Sequence, residues 1–480
     1  MRRLPLALTS TLLVLACGDD GPTQDPSESS SSGEADSTST GPTLTSTTVE
    51  PTGSTTVEPT TGLDSTTGPT AECGNGIVEA GEECDDENVL DDDDCSSVCR
   101  IPFEELWTAT YDGGDGDVAN HALFDDDGNL YVLGNSEVAG QGYDVWLRQY
   151  TPDGREGFTW TYDGAFHGDD FGRRMAWLEG DLVIVGTETT ETNGDDVLIL
   201  RLALAEQTIV WSQQYDGPGS GPEPADNGDF SAGVGVDADG NLLVGGTISV
   251  DGQGFDMSLR KLDPDGTELW AQTYDDPTIH DDDIASAVVV DGTDVYLVGN
   301  TYVTPTSEQS WIRKLDTDGN ELWTQSLAGL EFENATLDPA GNLVLVGLED
   351  DNPDNVNVWI GKYDPDFAEL GTTAYDGPSG SFDVGTGVAV GASADVYVSG
   401  YITVVGQQAN LWAGRYMADL GLRLWSDSYG NEEAQLADIG RGIAVSTDES
   451  RVAVVGYESV LGEGANVWVR MYQNNPAPGQ

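Results

Sequence analysis

The 480-residue sequence predicts an all-β protein whose bulk is a seven-bladed β-propeller closed by its own N-terminal strand. Three observations carry that prediction. A Trp-ended strand recurs at a nearly fixed interval, four short strands fit between successive copies, and the series begins on a fourth strand but stops on a third.

The recurring anchors are Leu106-Trp107, Thr159-Trp160, Val210-Trp211, Leu269-Trp270, Leu322-Trp323 and Leu424-Trp425, with Leu370-Gly371 as a degenerate copy. They lie about 48 to 59 residues apart, the range of radial or stacked repeats. Tyr111-Asp112-Gly113, Tyr215-Asp216-Gly217 and Tyr375-Asp376-Gly377 follow their anchors at a common offset. Alternation and turn residues divide the first period into strands near 118–124, 130–135, 144–150 and 158–162. Asp125-Asp126-Asp127-Gly128-Asn129 and Thr151-Pro152-Asp153-Gly154 supply the tight turns between them. Seven inner strands are expected, starting near residues 118, 170, 229, 284, 332, 384 and 439.

The offset of the series points to a ring. A fourth-type strand at 103–111 has no blade of its own, and the last blade, ending near 467–472, lacks a fourth strand. Pairing the two, the segment around Trp107 beside the one around Trp468, hides two edges that would otherwise template aggregation. Stretches such as Asp127-Gly128-Asn129-Leu130-Tyr131-Val132-Leu133-Gly134 and Asp144-Val145-Trp146-Leu147-Arg148 resemble the seven-bladed (SBBP) and delta-type repeats of exported bacterial proteins. That resemblance covers residues 103–472 and implies a fold, not an activity.

Upstream of the propeller the sequence divides into three parts. Residues 1–16 read as a signal peptide: Arg2 and Arg3 precede an apolar run at 4–15 that is too short to span a bilayer. The run ends in Val14-Leu15-Ala16-Cys17, which resembles the lipobox of bacterial lipoproteins. The resemblance implies that Cys17 is lipidated and becomes the mature N-terminus, placing the protein in the cell envelope, at the outer membrane or cell surface. Val14 stands where that family most often has Leu. Residues 17–72 are Ser, Thr, Pro, Gly and acid, with STTVEPT repeated at 46–52 and 54–60, and they read as a disordered stalk.

Residues 73–100 hold Cys73, Cys84, Cys95 and Cys99. In an exported chain this cluster reads as two disulfides, with three connectivities open. The runs Cys73-Gly74-Asn75-Gly76, Gly81-Glu82-Glu83-Cys84-Asp85-Asp86 and Cys95-Ser96-Ser97-Val98-Cys99 resemble the myxobacterial cysteine-rich disulfide repeat. Glu87 and the run 91–94 depart from it by losing turn glycines. The acids of the module read either as a solvated loop or as Ca2+ ligands. The propeller is assigned to residues 101–473, and 474–480 form a disordered tail.

Charge narrows the partners. Lys and Arg number 18 against 86 Asp and Glu, a formal net charge of -68. Such a field repels nucleic acid and favours cations and basic surfaces. Membrane contact is expected only through Cys17, and a monomer is expected.

Candidate site residues lie on the repeat. Asp117, Asp170, Asp229, Asp283, Asp383 and Asp438 precede the inner strands, while the fifth blade offers Glu331 or Glu333. If radially equivalent, they ring one channel mouth as a Ca2+ site; alternatively each accepts N–H groups in its own loop. Asp144, Asp196, Asp256, Gln309, Asn357, Asn410 and Asn466 open the third strands, where loop capping accounts for them. Arg148, Arg201, Arg260, Arg313, Lys362, Arg415 and Arg470 close those strands and are expected to pair with carboxylates.

No catalytic constellation is apparent. His167 and His280 occupy equivalent loops but no nucleophile motif accompanies them, and His121 reads as a packed inner-strand side chain. The largest irregularity, 218–229, is modest. The sequence therefore points to a non-catalytic binding or scaffold protein for a protein, glycan or cation-bridged ligand, with no cofactor beyond Ca2+. The alternative is a secreted propeller glycosidase or lyase working with loop carboxylates.

Overall fold

The computed structural model describes residues 73–77, 85 and 104–474, apart from 115, 192–193, 219–227, 252–253, 276–281, 305–306, 350–354, 407 and 432–435. The signal segment, Cys17, the stalk, Cys84, Cys95, Cys99, His280 and 475–480 lie outside the described residues. Of the cysteine module, Cys73 is disulfide-bonded, and the Asp85 carboxylate accepts the N–H groups of Gly74, Asn75 and Gly76 at 2.9, 3.0 and 2.6 Å.

The described residues form 28 strands, β1–β28 in chain order, arranged as seven four-stranded antiparallel sheets. Blade 1 is β2 (Val118–Phe124), β3 (Leu130–Val138), β4 (Gly142–Tyr150) and β5 (Glu156–Tyr162). The inner strands of blades 2 to 6 are β6 (Asp170–Leu178), β10 (Phe230–Val236), β14 (Asp283–Asp291), β18 (Leu330–Leu337) and β22 (Val384–Val390). Blade 7 combines β26 (Ile439–Val445), β27 (Arg451–Val460) and β28 (Gly464–Gln473) with β1 (Glu104–Tyr111) as its fourth strand. Thr108 lies opposite Arg470 and Thr110 opposite Trp468. Neighbouring inner strands touch in cyclic order, with β26 against β2, so the seven blades surround one axis.

Burial follows radial position. Second and third strands are sandwiched between neighbouring blades and read as nearly unbroken apolar runs, as in β3. Fourth strands at the rim alternate between exposed and half-buried, as in β1. Their anchors clip one blade to the next: Trp107 donates Nε1–H to Pro152 O at 3.3 Å, and Trp211 to Pro264 O at 3.0 Å. The rim tyrosines do the same by stacking. Tyr111 lies 5.0 Å from Trp146, Tyr375 4.9 Å from Trp412 and Tyr429 5.1 Å from Trp468, ring to ring. Such pairs add about 0.5–1.5 kcal/mol beyond area burial.

Every inner strand carries a β-bulge at the same height. In β2, Ala119 pairs with Gly134 and His121 with Leu133, leaving Asn120 as the extra residue. The corresponding residues are Arg173, Ala232, Ser286, Glu333, Thr386 and Arg441. The second strand answers each bulge with glycine, because a Cβ at Gly134 would stand 1.9 Å from Val118 O and one at Gly186 1.8 Å from Phe171 O. The Gly opposite each bulge, as in Val132-Leu133-Gly134, is thus required by close backbone approach.

Candidate functional site: acidic clefts between blades

Between consecutive blades, three chain positions converge: the start of a third strand, the residue after the rim tyrosine, and the acid that precedes the next inner strand. Asp144, Asp163 and Asp170 meet in this way between blades 1 and 2. Asp196, Asp216 and Asp229 meet between blades 2 and 3, and Asp256, Asp275 and Asp283 between blades 3 and 4. In each group one carboxylate oxygen per residue lies within 4.8 Å of the others.

The first two clefts lack internal compensation. Oδ1 of Asp144, Asp163 and Asp170 has no hydrogen-bond partner, nor does Oδ1 of Asp196. Yet Asp144, Asp170 and Asp196 are only 7, 0 and 4 % exposed. Among the described residues no Lys or Arg forms an ion pair with the acids of these two clefts; the imidazole of His167, 2.6 Å from Asp163 Oδ2, is the only basic group in contact. Burial and then repulsion by Asp163 push Asp144 up to about 6. Asp170 rises to about 7 through burial, with Glu188, Asp163 and Asp144 adding to it against the Gly164 N–H. Asp196 goes to about 6 and Asp229 to about 7, again by burial first and then neighbouring carboxylates. Several acids crowded with unpaired lone pairs match the needs of a hard cation, which takes oxygen ligands.

Of the two readings of the six aspartates, a ring at one channel mouth or acceptors within their own loops, the hydrogen bonds match the second. Each is buried within its own connection. Asp117 accepts the N–H groups of Gly114 and Glu137 at 3.1 and 3.2 Å, Asp383 that of Thr403 at 2.8 Å, and Asp438 those of Asn431 and Ser459 at 2.6 and 2.8 Å. Asp229 accepts Ser249 N–H at 2.6 Å and also Gly217 N–H, Asp170 accepts Gly164 N–H at 2.5 Å, and Asp283 accepts the Thr301 hydroxyl. Only Asp170, Asp229 and Asp283 join a three-acid cleft among the described residues. In blade 5 the register puts Leu330 at the acid position, with Glu331 buried next to it and Glu333 at the bulge.

Sequence reasoning overlooked Asp163 and Asp275, and used Asp216 only as a repeat marker. The signal was present: each follows the rim tyrosine of its blade, at Tyr162-Asp163, Tyr215-Asp216 and Tyr274-Asp275. The third-strand residues Asp144, Asp196 and Asp256, read as loop caps, belong to the clefts as well.

The remaining polar positions have local roles. Asp125 Oδ1 accepts the N–H groups of Asp127 and Asn129, and Gly128 takes φ 78°, so this Asp-rich turn is a self-satisfied hairpin. All seven basic residues late in the third strands pair with carboxylates, from Arg148 with Glu156 to Arg470 with Glu105 and Asp427. His121 accepts Met175 N–H at 3.4 Å, and burial holds it neutral, down to about 3.

No protein-family model matches the sequence, and no curated protein matches it. Solved structures match in fold. One is a protein of unknown function from Dyadobacter fermentans, 10 % identical, covering 78 % of this chain and all of that one, TM-score 0.44. The Dos1 propeller is 10 % identical, covering 77 % and 95 %, TM-score 0.47. A europium-containing methanol dehydrogenase is 11 % identical, covering 77 % and 93 %, TM-score 0.43.

Proposed function

We propose that this chain is an exported binding protein, lipid-anchored through Cys17 and without a catalytic role, whose inter-blade clefts hold Ca2+ and present it to a glycan or protein. The supporting observation is the paired exposure within a cleft. Asp196 and Asp229 are buried at 4 and 1 %, whereas Asp216 is exposed to solvent. Two acids fix an ion from below while the third leaves it accessible. Ca2+ takes six to eight oxygen ligands, so three carboxylates leave positions for water or for oxygens of a partner. His167 and Asp163 are the one His–carboxylate pair among the described residues. Thermal melting of the full chain in chelator and then in millimolar Ca2+ tests this reading. Each cleft held at about 100 times its Kd adds about 2.7 kcal/mol, so the melting temperature rises by several degrees. An unchanged melting temperature discards it.

A further inference from the structure

The bulges make a second site, of opposite charge. A cavity of about 230 Å³ lies on the propeller axis, and all seven bulge residues line it: Asn120, Arg173, Ala232, Ser286, Glu333, Thr386 and Arg441. A bulge re-aims the side chain it carries, which here turns one residue per blade towards the axis. Arg174, next to the blade 2 bulge, also lines the space.

Three guanidinium groups in one cavity are conspicuous in a chain of net charge -68. The seven basic residues late in the third strands all pair with acids, yet among the described residues Arg173, Arg174 and Arg441 form no ion pair. Nε of Arg173 and of Arg441 has no hydrogen-bond partner. Arg174 reaches only backbone, Asn120 O at 3.3 Å and Arg173 O at 3.0 Å. Burial and mutual repulsion lower Arg173 and Arg174 to about 10. Glu333 is the only acid in the lining and lies beyond pairing distance, so the cavity keeps an excess of two positive charges. Arg441, Asn120 and Arg173 stand on the adjacent blades 7, 1 and 2, which gathers the donors on one arc. The rest of the wall includes Phe230, Ile284, Val384 and Ile439.

We infer that the axial cavity binds a small organic dicarboxylate, its carboxylates on the Arg173–Arg441 arc and its carbon skeleton against the apolar wall. Guanidinium forks match carboxylate geometry in pairs of hydrogen bonds. A space of this size takes several waters and has room for a four- or five-carbon diacid. The apolar wall gives such a skeleton a surface that inorganic phosphate or sulfate cannot use. This inference is independent of the cation clefts.

The test is calorimetric titration of the full chain, in chelator, with succinate, glutarate and inorganic phosphate. Saturable binding of a diacid at least tenfold tighter than phosphate is expected. Arg173→Gln and Arg441→Gln each weaken it at least tenfold, while Arg423→Gln, which removes an arginine stacked on Tyr375 at the rim, leaves it unchanged. Glu333→Gln tightens it, since the one opposing charge is gone; this readout does not depend on the arginine variants folding. No binding of either diacid at about 10 mM, where mass action reveals even weak ligands, overturns the inference. So does preference for phosphate, or equal loss in Arg423→Gln and Arg441→Gln. Failure of the Ca2+ melting experiment leaves this result untouched.

Discussion

The clefts on the two sides of the ring share a backbone and differ most regularly at the residue that opens the third strand. Blades 1 to 4 are separated by three-acid clefts, opened by Asp144, Asp196 and Asp256. Blades 5, 6 and 7 place Asn357, Asn410 and Asn466 at that position, directly opposite Glu349, Ile402 and Glu458 on the second strand. The amide keeps the shape and one acceptor but removes a charge. The acid clefts gather three carboxylates that could hold a cation, whereas the amide clefts carry fewer charges. Loop capping cannot explain the split, because Asp and Asn cap loops equally well.

That contrast can be broken by exchanging the residues. Asn466→Asp would create, with Asp112 and Asp117, a fourth three-acid cleft between blades 7 and 1. In chelator it should destabilise the protein by about 1–3 kcal/mol, the cost of an uncompensated buried polar group. Millimolar Ca2+ should restore the loss, and equilibrium dialysis should count one more bound ion; a variant as stable as wild type in chelator would mean that charge is not what separates the halves. The reverse exchange, Asp144→Asn, should raise stability in chelator by about 1 kcal/mol by relieving repulsion, which is one pKa unit of interaction. It should also lower the Ca2+ count by one. A loss of stability in both solutions would instead mark Asp144 as a structural cap.

The smallest effect is on pH. Asp144 and Asp196 stand near 6 and Asp170 and Asp229 near 7, all above the unfolded carboxyl range. The folded state then holds more protons than the unfolded chain between about pH 4 and 7. Stability in chelator accordingly falls as pH rises through that window and levels off above it. Ca2+ should flatten or reverse the slope by holding the carboxylates ionised. Denaturant midpoints from pH 5 to 8, with and without Ca2+, measure this. A rise with pH in chelator would contradict the assigned crowding.

The strands are legible because their cause is local. The inner strand at Val118–Phe124 and the hairpin at Asp125 follow from alternation and turn chemistry within a few residues. The ring needs only the count and the offset of the fourth strand. The clefts are less legible, since each unites residues from two blades: Asp144 and Asp170 were noticed as separate series, and nothing along the chain says that they meet. The axial arginines were invisible for another reason. A bulge inserts a residue outside the two-residue period, so Arg173 and Arg441 fall between the inward and outward positions that alternation assigns. Only the pairing register shows where they point.

The seam of the ring has a mechanical meaning. Arg470 Nε donates to Thr108 Oγ1 across 362 positions of chain, at 2.9 Å. Joining ends so distant costs about 5 kcal/mol of loop entropy on a logarithmic scale, and the bond can form only after the last strand exists. Blade 7 is therefore where the two ends of the ring meet. Any tension on the polypeptide ahead of Glu104 is delivered to β1 first, so the joint that closes the ring is the one that bears the load.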